Sequence, residues 1–186
     1  MKDIAKFMLE VGALKHIKRT GWHVAGVANP ESVAEHKIRA VIIGYILAKL
    51  EKVDENKVIK MLMMHDVPET RIGDLNRITK AYVNIEEAED KVVDDQAKLL
   101  PEDIGEEYIL LIKEFNEKKT MESIVAKDAD ALELALQAHE YILMGYKAAE
   151  DILNRSKKRL KSESAKEILE EALKSDLWWK DLKRPD

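Results

Sequence analysis

The segment MLMMHDVPETRIGDL, residues 61–75, joins a methionine-rich apolar run to a His-Asp doublet. Its first four residues, 61–64, indicate a helix that is buried on nearly every side. An ionised carboxylate at the end of such a helix is costly unless it is paired, hydrogen-bonded or bound to a metal. His65 and Asp66 therefore predict partner side chains supplied by other parts of the chain.

Helix signals surround this segment. Asp54 is a suitable N-cap for the helix that carries the doublet, and Pro68 predicts its end, with Glu69 just beyond. The preceding helix begins either at Asn29-Pro30 or at Ser32, where Glu35 would complete a capping box, and runs to about residue 50.

The rest of the chain is also predicted to be helical. Capping boxes are predicted at Asp103 with Glu106 and at Ser164 with Glu167. The indoles of Trp178 and Trp179 either pack the last helix onto the bundle or form a subunit interface. Helices are expected at residues 3–17, 85–100, 103–118, 121–147 and 164–179. With no convincing strand or repeat, the sequence predicts an all-α, single-domain bundle over residues 1–186. Its core spans about 30–150, and the C-terminal helix packs on it.

Composition excludes several classes of protein. Hydrophobic residues make up 46% and charged residues 36% of the chain, which excludes a disordered protein. The net charge of −5 argues against binding to polymeric nucleic acid or to an anionic membrane. The longest apolar run, residues 40–48, is too short to span a bilayer. The absence of cysteine excludes disulfides and thiolate chemistry, and predicts a cytoplasmic protein.

Two other polar residues on apolar helices are candidate partners for the doublet. His36 follows SVAE at the start of a buried helix, and Asp130 lies in the apolar run KDADALELAL. Asp128 lies about 200° away from Asp130 around a helix, so the two are not expected to share a site. Two imidazoles and two carboxylates suit one divalent cation such as Mn, Co, Fe, Ni or Zn, with Mg less favoured. The residues alone leave open a buried network of His–Asp hydrogen bonds without a metal.

The ordered motifs RTGW, SVAEH, MMHDVPE, TRIGDL and KDADALE resemble the HD-domain metal-dependent phosphohydrolases, and within them the 5′-deoxynucleotidases similar to YfbR. The resemblance covers roughly residues 1–150. It implies that the metal ligands are His36, His65, Asp66 and Asp130.

The same resemblance implies roles for four further residues. Glu69 and Asp74 match the catalytic acidic positions of the family, and Trp22 matches the aromatic residue beside the sugar. In bacterial members an arginine directly precedes this tryptophan. Here Gly21 does, and Arg19 is the nearest arginine. The expected substrate-binding residues are therefore Trp22 and Arg19.

The expected activity is metal-dependent hydrolysis of deoxyribonucleoside 5′-monophosphates to deoxynucleosides and phosphate. Glu69 would orient the water or protonate the leaving oxygen, and Asp74 would assist. The resemblance also implies a homodimer or a higher homo-oligomer. Two alternatives remain: hydrolysis of nucleoside triphosphates or cyclic phosphodiesters, and a binding module that keeps metal and nucleotide without turnover.

Overall fold

Helices joined by short loops form the part of the chain that the computed structural model describes, residues 1–181. The predicted domain of residues 1–186 includes 182–186, which lie outside the described residues. Within residues 1–181 there is no strand, only one isolated antiparallel bridge between Lys18 and Ser32. The predicted all-α fold is confirmed. The α-helices are α1 (Lys2–Val11), α2 (Thr20–Val24), α3 (Val33–Glu51), α4 (Glu55–Met64), α5 (Glu69–Ile72), α6 (Arg77–Lys80), α7 (Ile85–Ala97), α8 (Glu102–Glu117), α9 (Met121–Leu143), α10 (Ala149–Arg159) and α11 (Glu163–Ala172), with 3₁₀ helices at Gly12–Lys15 and Trp178–Asp181.

The start of α3 is fixed by the capping box that begins at Ser32. The backbone N–H of Glu35 donates to Oγ of Ser32 at 3.2 Å, and the backbone N–H of Ser32 donates to the Glu35 carboxylate at 2.6 Å. Of the two predicted starts, the structure therefore has the one at Ser32.

The helix before the doublet is capped as predicted, but its end differs from the prediction. Asp54 accepts hydrogen bonds from the backbone N–H groups of Asn56 and Lys57, and α4 ends at Met64. Glu69 lies beyond this end, as predicted, but it belongs to a further helix. Pro68 directly precedes α5, and Glu69 is the first residue of that short helix. A proline lacks the N–H that the first turn of a helix leaves unpaired, so it suits this start.

The main core lies between α3, α4, α8, α9 and α11. Its fully buried side chains include Leu47, Met61, Leu62 and Leu132. Gly44 lets α3 and α4 approach closely, because a Cβ atom there would lie 2.1 Å from the Leu62 side chain. This packing holds the end of α4, and hence the doublet, against the middle of the bundle.

The C-terminal third contains a helix that the sequence prediction missed. The predicted helix 121–147 ends at Leu143, and Gly145 follows with φ of 102°. The additional helix α10 packs along α9. None of the described helices has the length and apolar character needed to cross a membrane.

Three details of the predicted helix ends were wrong. α8 follows Pro101 without a side-chain cap, so Asp103 and Glu106 do not form the expected box. α11 begins after Ser162, not at Ser164, and it ends at Ala172 instead of residue 179. Trp178 and Trp179 lie in a separate 3₁₀ helix and are both exposed, so neither indole packs into the core.

Candidate metal centre

Four of the predicted site residues meet where α3, the turn after α4 and α9 come together. Nε2 of His36 lies 3.1 Å from Oδ1 of Asp130 and 3.9 Å from Oδ2 of Asp66. Nε2 of His65 lies 3.0 Å from Oδ1 of Asp66 and 3.8 Å from Oδ1 of Asp130. Two imidazoles and two carboxylates from distant parts of the chain therefore face one point.

Hydrogen bonds on the far side of each ring direct Nε2 toward that point. Nδ1 of His65 donates to the backbone carbonyl of Leu62 at 3.1 Å. Nδ1 of His36 is hydrogen-bonded to the carboxylate of Glu133. With Nδ1 engaged as a donor, each neutral ring has its lone pair on Nε2. This is the usual arrangement of histidines that bind metals.

Two of the candidate ligand atoms lack partners. Nε2 of His65 and Oδ2 of Asp66 are buried, and neither forms a hydrogen bond with any described residue. Buried polar atoms are nearly always hydrogen-bonded, so unpaired ones at one point indicate a place for an ion or a water. The mixed nitrogen and oxygen donors suit a divalent cation of the Mn–Zn series. The residues present therefore fit such an ion.

Both ligand carboxyl groups are held in the ionised state. Burial acts to raise the pKa of Asp66, but the charges of His65 and Lys37 outweigh it and bring this pKa far below the usual value. Burial also opposes ionisation of Asp130, but the hydrogen bond from His36 and the nearby imidazole of His65 hold its pKa well below the usual range. Ionised carboxylates are the form that binds cations.

His36 takes up a proton when no cation is present. Burial and the charge of Arg19 act to lower the pKa of His36, while Glu133 and Asp130 raise it, and the result is about 9. A cation on Nε2 would displace this proton, so cation binding would release a proton.

Glu69 is the buried acid next to the candidate ligands. Its Oε2 atom is buried and has no hydrogen-bond partner among the described residues. Burial raises the pKa of Glu69 well above its usual value, and the charges of Asp66 and Asp74 raise it further, against the opposing effect of Arg19. These effects favour the protonated form of Glu69.

Asp74 ties the start of α2 to the site. Its Oδ2 atom accepts from the backbone N–H of Thr20 at 2.6 Å and from Oγ1 of the same residue at 3.1 Å. Its Oδ1 atom lies 3.8 Å from Nε of Arg19. The guanidinium of Arg19 is largely buried, and its pKa is raised because the charges of Asp74, Asp66 and Asp130 outweigh burial. The structure thus brings both Asp74 and Arg19 to the site.

Trp22 is almost completely buried. Only 1% of its surface is exposed. Its Nε1–H donates to Glu31 at 2.9 Å, and its ring packs edge-on against Tyr141. Burial and the nearby Glu133 raise the pKa of Glu31 to about 7. In this structure the indole has almost no surface with which to contact a sugar.

Sequence reasoning missed the residues that support His36. Glu133 also accepts from Nε of Arg39 at 2.9 Å, and Arg39 in turn donates to Gln137 and Glu140. The spacing contained a signal, because Arg39 follows His36 by three residues and Glu133 follows Asp130 by three. Residues three apart lie on the same side of a helix.

Lys37 was missed as well. Its ammonium nitrogen is buried and has no hydrogen-bond partner among the described residues. Burial lowers the pKa of Lys37, while the charges of Asp66, Glu69 and Asp130 act in the opposite direction. A lysine directly after a histidine on a helix gives no spacing signal, since adjacent residues point about 100° apart.

The structure also places the second aspartate of the DAD run. Asp128 is buried and accepts hydrogen bonds from the backbone N–H groups of Lys161 and Ser162 and from the Ser162 hydroxyl. It therefore fixes the start of α11, on a different side of α9 from Asp130.

Known proteins resemble this chain over most of its length. Residues 11–172 match the model of the HD domain family. A curated relative from Dictyostelium discoideum, named 5′-deoxynucleotidase HDDC2, is 35% identical over 76% of this chain and 78% of its own. The human protein of the same name is 29% identical, over 75% of this chain and 69% of its own.

The fold also matches solved structures. A conserved hypothetical protein from Pyrococcus furiosus is 36% identical and has a TM-score of 0.77. The match covers 92% of this chain and 99% of that protein. The likeness therefore extends beyond the motifs to nearly the whole helical bundle.

Proposed function

The chain belongs to the HD domain family, and we propose that it is a metal-dependent phosphomonoesterase acting on deoxyribonucleoside 5′-monophosphates. The products are a deoxynucleoside and inorganic phosphate. The observation that carries this proposal is the convergence of two imidazoles and two carboxylates at unpaired buried atoms, with the buried acid Glu69 beside them. The relatives named 5′-deoxynucleotidase support the substrate class.

The proposed ligands of one divalent cation are His36, His65, Asp66 and Asp130. Mn and Co are the first ions to test, followed by Mg, Fe, Ni and Zn, because mixed nitrogen and oxygen donors accept all of them to different degrees. When bound, the cation supplies Lewis acidity at a phosphoryl oxygen and a more acidic water. Glu133 and the Leu62 carbonyl keep the two rings oriented for this role.

Glu69 is proposed to protonate the leaving group. Hydrolysis breaks the bond between phosphorus and O5′, and O5′ must gain a proton to leave as an alcohol. A buried carboxyl with a raised pKa and an unpaired oxygen holds a proton that it can give to O5′. The water that attacks phosphorus supplies the new oxygen of the phosphate and releases a proton that restores the acid.

Arg19 and Asp74 are proposed to act together on the substrate. The guanidinium of Arg19 is an anion-binding group, and Asp74 holds it by charge and holds the loop through Thr20. Trp22 is proposed to act indirectly, by positioning Glu31 through its indole N–H. This replaces direct contact with the sugar, for which the indole has too little exposed surface.

A homodimer is proposed to form through α3. Ile38, Ile42, Tyr45, Ile46 and Leu50 lie along one side of this helix, and each is 45–63% exposed. The opposite side of α3 packs in the core. A helix with apolar residues on every side is normally buried on every side, so the exposed stripe indicates a partner that covers it.

A second copy of the chain is the partner that fits this stripe. Two α3 helices crossing antiparallel at the level of Gly44, but on the opposite, exposed side, would place Ile38 against Leu50 and Ile42 against Ile46, so the surface is complementary to itself. Two cations border this stripe, and both are paired within the chain: Lys49 with Glu55 at 2.8 Å and Arg39 with Glu133 at 2.8 Å. We further propose that the protein acts in the cytoplasm, where a chain without cysteine and a nucleotide substrate both fit.

One assay tests the proposed activity. Phosphate release is measured from dAMP, AMP, 3′-AMP and dATP, with Mn, Co or Mg and with a chelator. The expected result is turnover of dAMP that a chelator abolishes, with little release from 3′-AMP. Preferred hydrolysis of dATP would favour a triphosphate hydrolase instead. Binding of dAMP without turnover under every metal would identify a binding module.

A further inference from the structure

Lys37 places an amino group at the candidate site that no described residue binds directly. Its side chain extends from α3, one residue after His36, and its Nζ atom is buried without a hydrogen-bond partner. Asp66, Glu69 and Asp130 are the carboxyl groups that act on it through space. A buried ammonium without partners is strongly unfavourable, so its retention calls for an anion that binds there.

The pairing of the neighbouring side chains indicates that this anion comes from outside the chain. Asp74 lies 3.8 Å from Arg19, and Asp130 accepts a hydrogen bond from Arg159 at 3.1 Å. Asp66 and Asp130 are also the proposed ligand carboxylates of the cation, and neither they nor Glu69 forms a hydrogen bond with Nζ of Lys37. Lys37 therefore lies unpaired beside a cation that would itself attract phosphoryl oxygens.

We propose that Lys37 is a phosphate-binding residue of this site, whose Nζ–H groups donate to the non-bridging oxygens of the substrate phosphoryl group and of the product phosphate. This inference rests on the proposed phosphomonoesterase function. It assigns the phosphate contact to a lysine that is adjacent in sequence to a metal ligand. The metal and the phosphate would then be positioned by the same turn of α3.

Lys127 provides a matched comparison, because it is a second lysine near the candidate ligands that already has a partner. Its Nζ lies 3.5 Å from the centre of the Phe115 ring, a cation–π contact. Phe115 in turn packs against the ring of His65. If only the total positive charge near Asp130 mattered, then removing either lysine would weaken phosphate binding equally.

The test is calorimetric titration of inorganic phosphate into protein loaded with one equivalent of Mn. Lys37→Met should weaken phosphate binding about 10- to 100-fold, the usual effect of losing one charged hydrogen bond in a buried site. Lys127→Met should change it less than about threefold. Without metal and phosphate, Lys37→Met should melt no lower than the wild type, since it removes an unpaired buried charge.

Each other outcome is informative. Phosphate binding by Lys37→Met within threefold of the wild type, equal losses in both variants, or no phosphate binding by the wild type would each overturn the proposal. If phosphate binding depends on Lys37 but dAMP is not hydrolysed, then the assignment of Lys37 stands and the proposed function fails. If dAMP is hydrolysed and phosphate binding does not depend on Lys37, then the proposed function stands and the assignment of Lys37 fails.

Discussion

The carboxylate of Glu133 holds the imidazole of His36 from behind, across 97 positions of the sequence. Both side chains are fully buried, and Arg39 binds the other oxygen of Glu133 at 2.9 Å. Burial opposes ionisation of Glu133, but the charge of His36 and its hydrogen bond lower the Glu133 pKa, and Arg39 adds to this. The resulting anion fixes the orientation of His36 and makes its Nε2 atom a better donor to a cation.

Glu133→Gln should therefore weaken metal binding. Removing a carboxylate that supports a metal-binding histidine typically lowers metal affinity about 10- to 100-fold. Titration of Mn or Co into the metal-free protein measures this change. Glu140→Gln is the matched control, because Glu140 binds Arg39 at 2.7 Å but does not contact His36. Equal metal affinity in Glu133→Gln and the wild type would contradict the supporting role.

Asp128 and Asp130 lie two residues apart on α9, and their substitution is predicted to have opposite effects on metal binding and on stability. Asp130→Asn should lose metal binding and activity while the fold is kept, because its carboxylate faces the two imidazoles. Asp128→Asn should keep metal binding and lower the free energy of unfolding by about 1–2 kcal/mol, because it weakens the start of α11. Metal titration and urea unfolding of both variants measure the two effects. Full metal occupancy in Asp130→Asn would show that the ligand is misassigned.

Local signals predicted most of the fold. The caps at Ser32 and Asp54 were confirmed because a capping box and an N-cap depend on residues within one turn. The helix α10 was missed because its mean hydropathy is low and its contacts with α9 are tertiary. The start of α11 was misplaced because Asp128, more than thirty positions away, binds Ser162.

In the candidate site, too, some features could be predicted from the sequence and others could not. The order of His36, His65-Asp66 and Asp130 along the sequence predicted that these residues share a site. The structure brings them together, with imidazole nitrogens 3.0–3.9 Å from carboxylate oxygens. The positions of Trp22 and Lys37 could not be predicted, because they depend on how the segment before α3 and α3 itself pack around the site. Sequence pattern identifies the residue types at a site better than it identifies which of them are open to a ligand.

Glu69→Gln should abolish turnover without loss of binding. The amide keeps the size of the side chain but has no carboxyl proton to give, so kcat for dAMP should fall about 10²- to 10⁴-fold. Binding of Mn and of phosphate should stay within threefold of the wild type. Glu89→Gln serves as the control, since burial also raises the pKa of Glu89 but this residue lies on α7. Wild-type kcat in Glu69→Gln would exclude a role as the proton donor.

The exposed stripe on α3 predicts a dimer that one charge can disrupt. Ile42→Glu or Ile46→Glu would place one carboxylate from each copy against apolar side chains at the centre of the proposed contact, where no cation neutralises it. Light scattering after gel filtration should show a dimer for the wild type and a monomer for either variant. Leu110→Glu, at an exposed leucine of α8, should leave the dimer intact. A monomeric wild type, or dimers in both α3 variants, would show that α3 is not the interface.

Glu10 makes the free energy of unfolding of the bundle depend on pH. Its carboxylate accepts hydrogen bonds from Arg71, Gln96 and Thr70, and so joins α1 to α5 and α7. Chiefly through Arg71, these contacts lower the pKa of Glu10 from 4.5 to about 2.

Because the pKa is lower in the folded state, this carboxylate stabilises the fold fully above pH 4.5, and the stabilisation is lost as the pH falls toward 2. Glu10→Gln should therefore be less stable than the wild type by about 1–2 kcal/mol at pH 7. The two proteins should converge between pH 4.5 and 2. Urea unfolding at pH 7, 5, 4 and 3 measures the difference, and a gap that stays constant over this range would contradict the assignment.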